Sequence, residues 1–135
     1  MITKTYVKHL NYEATGAAIE VHKALGPGLL ESIYEACLSE ELVQRGLQVT
    51  RQLPVPIWYK GKKVKDDLYI DLLVNDTIII EVKAVEHLLP VHEAQLLTYL
   101  KLAEKPKGLL INFNVAQLTH GIKPFVNQLF QELPQ

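Results

Sequence analysis

Asp71-Leu72-Leu73-Val74-Asn75-Asp76-Thr77-Ile78-Ile79-Ile80-Glu81-Val82-Lys83 reads as two apolar strands joined by a polar turn at Asn75-Asp76. Three charges, Asp71, Glu81 and Lys83, interrupt otherwise apolar runs. A strand interior is a costly place for an unpaired carboxylate or ammonium, because the charge loses its water. Three such breaks of the local rule in one hairpin point to a functional site. Side chains alternate across a strand, so Glu81 and Lys83 share a face. Two carboxylates and a lysine converging there suit a divalent cation, with Lys83 beside a metal-bound water.

The register of this hairpin decides whether the carboxylates meet. A two-residue loop at Asn75-Asp76 sets Asp71 opposite Ile80, and Asp71 and Glu81 then point to opposite faces. An odd-length connection such as Asn75-Asp76-Thr77 sets Asp71 opposite Glu81. The odd connection, or an equivalent bulge, is therefore the expectation.

Outward from the hairpin, the periodicity predicts a helix from about Asn11 to Leu25, with Ala14, Ala17, Ala18, Val21 and Leu25 on one face. Gly26-Pro27-Gly28 ends it, and a second helix runs from about Leu29 to Gln44, stopped by Gly46. Leu47–Tyr59 reads as a strand that Pro54 and Pro56 confine to an edge or a bulge. Lys60-Gly61-Lys62-Lys63 is a turn, and strands cover Val64–Val74 and Thr77–Val85. Pro90 opens a helix to about Ala103. A short strand at Leu109–Phe113, buried on both faces, and a last helix at Ile122–Phe130 complete the order α-α-β-β-β-α-β-α.

The length, 135 residues, fits one domain over residues 1–135, and 48% hydrophobic residues suffice for a core. A net charge of −1 gives no global attraction to nucleic acid, yet it is compatible with an enzyme that has a local basic groove. Cys37 is the single cysteine, so no disulfide framework or zinc-type spacing exists, and its apolar helical setting makes it a core residue. The N-terminus lacks a signal-peptide core, and no apolar run reaches the ~18–20 residues of a membrane span. A soluble, cytoplasmic protein is the expectation.

Asp71-x9-Glu81-x-Lys83 resembles the pattern of the PD-(D/E)xK nuclease superfamily. Gly28-Leu29-Leu30-Glu31-Ser32-Ile33-Tyr34 resembles the motif that names the GxxExxY protein family, a branch of it. Gln95 and Tyr99 are similar to the Gln-x3-Tyr spacing of RecB-like nucleases. The likeness runs from His22-Lys23-Ala24-Leu25-Gly26-Pro27-Gly28 through Pro90-Val91-His92-Glu93-Ala94-Gln95 to Asn112-Phe113-Asn114. It implies an α/β, restriction-endonuclease-like fold with a mixed central sheet flanked by helices. It also implies that Asp71 and Glu81 bind Mg²⁺ or Mn²⁺, with the Val82 carbonyl and Glu31 as further oxygens. Lys83 would orient or deprotonate the attacking water, and Gln95 and Tyr99 would contact phosphate, water or Lys83. Ile70 stands where the superfamily pattern has Pro, a position that supplies no ligand.

Plainer readings stand beside these. Glu81 and Lys83 also fit a salt-bridged, solvated sheet face, and Glu31 a first-turn acid favoured by the helix dipole. Tyr34 reads as a packing residue with a local hydroxyl partner, and His22 as a structural histidine. His92 lies three residues before Gln95 and is either a substrate or supporting contact or an ordinary helix residue. Lys60, Lys62, Lys63 and Lys65 form a solvated turn or a small phosphate-contacting patch, of which Arg45 and Arg51 are candidate extensions. Trp58 and Tyr59 read as strand-packing residues rather than base-stacking ones.

Three functions follow. The leading one is a metal-dependent nuclease acting on DNA, with RNA as the alternative substrate. The second is a catalytically silent nucleic-acid-binding or protein-interaction module of the same fold. The third is a structural homo-oligomer paired through apolar helices or the edge strand near Pro54.

Overall fold

The computed structural model describes residues 1–135, apart from the side chain of Asp67. Helix α1 (Lys4–Leu25) begins seven residues before the expected start. Thr3 caps it, its hydroxyl accepting from the Tyr6 N–H at 3.0 Å. Gly26, at φ +69°, ends it and returns its N–H to the His22 carbonyl. Helix α2 (Glu31–Gln44) follows the Gly28 turn.

Strands β1 (Val49–Tyr59), β2 (Lys62–Val74) and β3 (Ile78–Lys83) come next, then α3 (Pro90–Ala103), β4 (Lys107–Asn112) and β5 (Ile122–Val126). They form one mixed sheet in the order β1-β2-β3-β4-β5, in which only β3 and β4 run parallel. A four-residue helix α4 (Gln128–Gln131) ends the chain. The restriction-endonuclease-like α/β fold is thus present, with one more strand than expected.

That strand is the main correction. Ile122–Phe130 is not one helix, because Ile122–Val126 pairs antiparallel with β4. Ile122, Phe125, Val126, Leu129 and Phe130 mimic helical spacing. Pro124, however, pushes the preceding Lys123 toward extended backbone, and the outermost strand of a sheet tolerates its missing N–H.

Helices cover both faces. Val7, Leu10, Ala14, Ala17, Ala18 and Val21 of α1 are buried. Most of them pack with Tyr34, Leu38 and Leu42 of α2 against Leu72, Val74, Ile78, Ile80, Val82, Leu109 and Ile111. On the other face, Leu96 and Leu100 of α3 pack on Val55, Ile70, Leu73, Ile79 and Leu110. All of β4 except Lys107 is buried, as expected for a strand covered on both sides. Gly108 lets α3 approach closely, since a Cβ there would stand 3.0 Å from Leu96.

The β1–β2 ribbon changes faces midway. Leu68 and Ile70 join the α3-side core, yet Leu72 and Val74 join the opposite one. Leu53 and Val55 differ from Val49 in the same way. All pairs from Val49↔Val74 to Val55↔Leu68 keep one register, except that Gln52 and Asp71 are not paired. Gln52 adopts φ +49°, which breaks the pleat at that point.

Beyond Leu68 the ribbon is a free arm. Pro56 sits in a register shift, as its missing N–H predicts. Lys60 and Gly61, both at positive φ, make a two-residue turn between Tyr59 and Lys62. Trp58 and Tyr59 do not pack within the sheet; they are 61% and 63% exposed.

Candidate metal and phosphodiester site

Asn75-Asp76-Thr77 is the odd-length connection, with Val74 paired to Ile78 and Leu72 to Ile80. Asn75 and Asp76 both take left-handed conformations there, which Asn and Asp tolerate best after Gly. Continuing the register by one residue brings Asp71 level with Glu81, so the carboxylates meet. The β2–β3 ladder stops at that point, although β3 pairs with β4 along its whole length. Asp71 fills the fork, its Oδ2 accepting the Val82 N–H at 2.8 Å.

Glu81 is 6% exposed. Burial, then the charge of Asp71 and a hydrogen bond with it, push its pKa up to about 9, while the charge of Lys83 opposes the rise. Its Oε1 is buried without a hydrogen-bond partner. A buried acceptor of this kind beside a second carboxylate lacks a positive ligand. The two acids therefore fit a divalent cation, for which hard oxygens are the preferred donors. Among the described residues, no three His, Cys, Asp or Glu side chains gather to hold a cation, so any remaining positions fall to water, backbone or substrate.

Tyr99 comes to the pair from α3. Burial first, then the charges of Glu81 and Asp71, hold its phenol above the usual range. Gln95 lies one turn earlier on the same face of α3 and is exposed. Asn112, buried at the end of β4, fixes the chain just after Lys83. Its Oδ1 accepts from the Val85 and Asn114 N–H groups, and its Nδ2 donates to the Val85 carbonyl.

Glu31 is not gathered with the pair; its Oε2 accepts from the Ala84 N–H at 3.3 Å. The α2 acid that does reach Asp71 is Glu35, one turn on, a residue that no sequence motif marks. Gln52 Nε2 donates to both Glu35 Oε1 (2.7 Å) and Asp71 Oδ1 (3.2 Å). Arg51 donates to Glu35 Oε2 through Nε (3.3 Å) and an Nη (3.2 Å). Burial and the charge of Asp71 raise the Glu35 pKa. The only sequence signal for this group was a polar Arg-Gln pair ahead of Leu53 in a strand otherwise rich in apolar residues.

The remaining residues divide clearly. Tyr34 is structural: its hydroxyl donates to the Gly26 carbonyl (2.6 Å) and its ring stacks on Phe113 at 4.6 Å. The His22 Nε2 lies 2.8 Å from the Val115 carbonyl, also a structural contact. His92 caps α3, its Nδ1 accepting from the Leu89 N–H at 3.0 Å. Arg45 pairs with Glu13 and Glu41, and Arg51 with Glu35, so neither extends the lysine patch. Lys60, Lys62 and Lys63 sit at the arm tip, which at about 3.3 Å per residue is roughly 25 Å along the ribbon from Gln52.

A family model for the PD-(D/E)XK nuclease superfamily matches residues 8–125. No curated protein and no solved structure matches the chain. No helix is long and apolar enough to cross a membrane, among the described residues.

Proposed function

Because the chain belongs to the PD-(D/E)XK nuclease superfamily, we propose that it is a divalent-cation-dependent nuclease of the GxxExxY branch, folded as a single catalytic domain. Superfamily nucleases act on nucleic acids and generally use divalent metal ions, and DNA is the proposed substrate here. The observation that carries the reading is the buried, unpartnered Glu81 oxygen beside Asp71 at the mouth of a strand fork.

Asp71 and Glu81 would hold Mg²⁺ or Mn²⁺, with the Val82 carbonyl as a further oxygen. When bound, such an ion lowers the pKa of water and offsets charge growing on the phosphate. Lys83 follows Glu81 on the same strand face and aims its ammonium toward the phosphate and the attacking water. The water oxygen forms a bond to phosphorus, and the ester bond to the leaving sugar oxygen breaks. The proton lost by the water and the proton gained by the leaving oxygen balance, leaving a phosphomonoester and a hydroxyl. Tyr99 and Gln95 on α3 offer hydroxyl and amide hydrogen bonds to the same phosphate. Glu35, held by Arg51 and Gln52, fixes Asp71 from the other side.

The test is cleavage of labelled single- and double-stranded DNA and RNA with Mg²⁺ or Mn²⁺. Glu81→Ala and Lys83→Ala should each lower the rate at least 10²-fold. Cleavage that survives both substitutions would refute the assignment.

A further inference from the structure

Apart from the half-buried Ile57, every described residue from Pro56 to Asp66 is exposed. The sequence of the arm is net basic: Lys60, Lys62, Lys63 and Lys65 lie within six residues and outnumber the following Asp66 and Asp67, in a chain whose net charge is −1. Asp66 is the described acid among them, and it pairs with Lys63 at 3.4 Å. Directly opposed residues of a ribbon share a face. Trp58 is opposed to Lys63, and Tyr59 to Lys62. Each face of the arm therefore carries one exposed ring beside an ammonium, and the Lys60 Nζ lies 5.4 Å from the centre of the Tyr59 ring.

We propose that the β1–β2 arm is a handle for single-stranded nucleic acid, in which Trp58 and Tyr59 stack on unpaired bases and Lys60, Lys62 and Lys63 neutralise the adjoining phosphates. Rings flanked by lysines suit this partner because every base has a π-face and every linkage a negative charge. A second copy of the chain docked tip to tip would instead bring like charges together. The arm tip lies roughly 25 Å along the ribbon from the fork. At about 3.4 Å of axis per stacked nucleotide, a strand touching both ends spans about seven nucleotides. This deepens the nuclease reading by giving its substrate a single-stranded segment of that length.

Trp58 is the only tryptophan, so its fluorescence reports on the arm alone. The experiment titrates the full chain in EDTA, where no cleavage occurs, with oligothymidylates and oligouridylates of four and twelve nucleotides. The twelve-mers should quench Trp58 saturably and bind at least tenfold more tightly than the four-mers. Affinity should fall steeply with added NaCl. The combined Lys60→Ala, Lys62→Ala, Lys63→Ala variant should bind at least tenfold more weakly while melting within a few degrees of the parent. Trp58→Ala, followed by anisotropy of a labelled twelve-mer, should weaken binding in the same direction. Equal quenching by inorganic polyphosphate would overturn base stacking, and equal quenching by duplex DNA would overturn the single-strand assignment. An unchanged fluorescence with every oligonucleotide would overturn the proposal outright, even if Glu81-dependent cleavage is found. Saturable quenching without any cleavage would support the arm and count against the nuclease reading alone.

Discussion

Glu81 carries the sharpest consequence at the scale of single residues. Its pKa is about 9 in the fold, against an ordinary value of 4.5. Between those values the folded chain keeps a proton that the unfolded chain has released, so the contribution of Glu81 to stability is full below pH 4.5 and is lost as pH rises towards 9. Glu35 is shifted in the same direction and adds to the slope. The metal-free protein should therefore melt at progressively lower temperature between about pH 5 and 9. Glu81→Gln keeps a neutral side chain at all pH values and should flatten that slope, which thermal melts across the range in EDTA would measure. Cation binding needs the ionised carboxylate, so it should release close to one proton per ion at pH 7–8, measurable by calorimetry in buffers of different ionisation enthalpy. Gln52 makes a second residue-scale prediction. Its amide separates Glu35 from Asp71, so Gln52→Ala should destabilise the metal-free protein by about 1–2 kcal/mol at neutral pH. Excess Mg²⁺ should recover part of that loss, whereas an equal loss with and without the ion would leave Gln52 a purely packing residue.

At the scale of elements, what was legible in the sequence depended on whether local chemistry or distant pairing set the outcome. Helix α3 runs from Pro90 to Ala103 as expected, because proline at its start and the apolar period fix it locally. The Asn75-Asp76-Thr77 connection was legible because alternation permits only one parity if Asp71 and Glu81 are to meet. Strand β5 was not, since Ile122–Val126 has helical spacing and only the free edge of β4 draws it into the sheet. Glu35 and Gln52 escaped because they meet Asp71 only after α2 and β1 are brought together, and the GxxExxY resemblance drew attention to Glu31 instead. Asn112 belongs at this scale too. Its side chain ties the end of β4 to Val85, just beyond Lys83. Asn112→Ala should cost roughly 1–3 kcal/mol in urea unfolding, since it leaves part-buried backbone groups of Val85 and Asn114 unpaired. It should also slow cleavage more than the lost stability explains, because the lysine is no longer held; unchanged turnover at saturating substrate would refute that link.

At the scale of the molecule, the site lies where two packing regimes meet. The α1/α2 core and the α3 core share β2, β3 and β4, and the ribbon passes from one to the other at Gln52 and Asp71. A sheet covered on both faces is rigid at its centre, so β3 and β4 present Glu81 and Lys83 from a fixed base. The arm has no such cover. Amide protection should follow this division, because exchange is slow where opening requires loss of the core and fast where few apolar contacts hold a hydrogen bond. Amides of residues 79–82 and 109–111 should exchange most slowly, near the limit set by global unfolding, and those of residues 57–65 fastest within the sheet. Residues 70–72 stand between, since their ladder is interrupted at the fork. A cation at Asp71 and Glu81 should slow exchange at residues 70–72 and 82 without changing residues 57–65, and hydrogen-exchange mass spectrometry with and without Mg²⁺ resolves the two segments. Equal protection of arm and fork by the ion would mean that the two move as one unit, and the arm would then be part of the metal site rather than a separate handle.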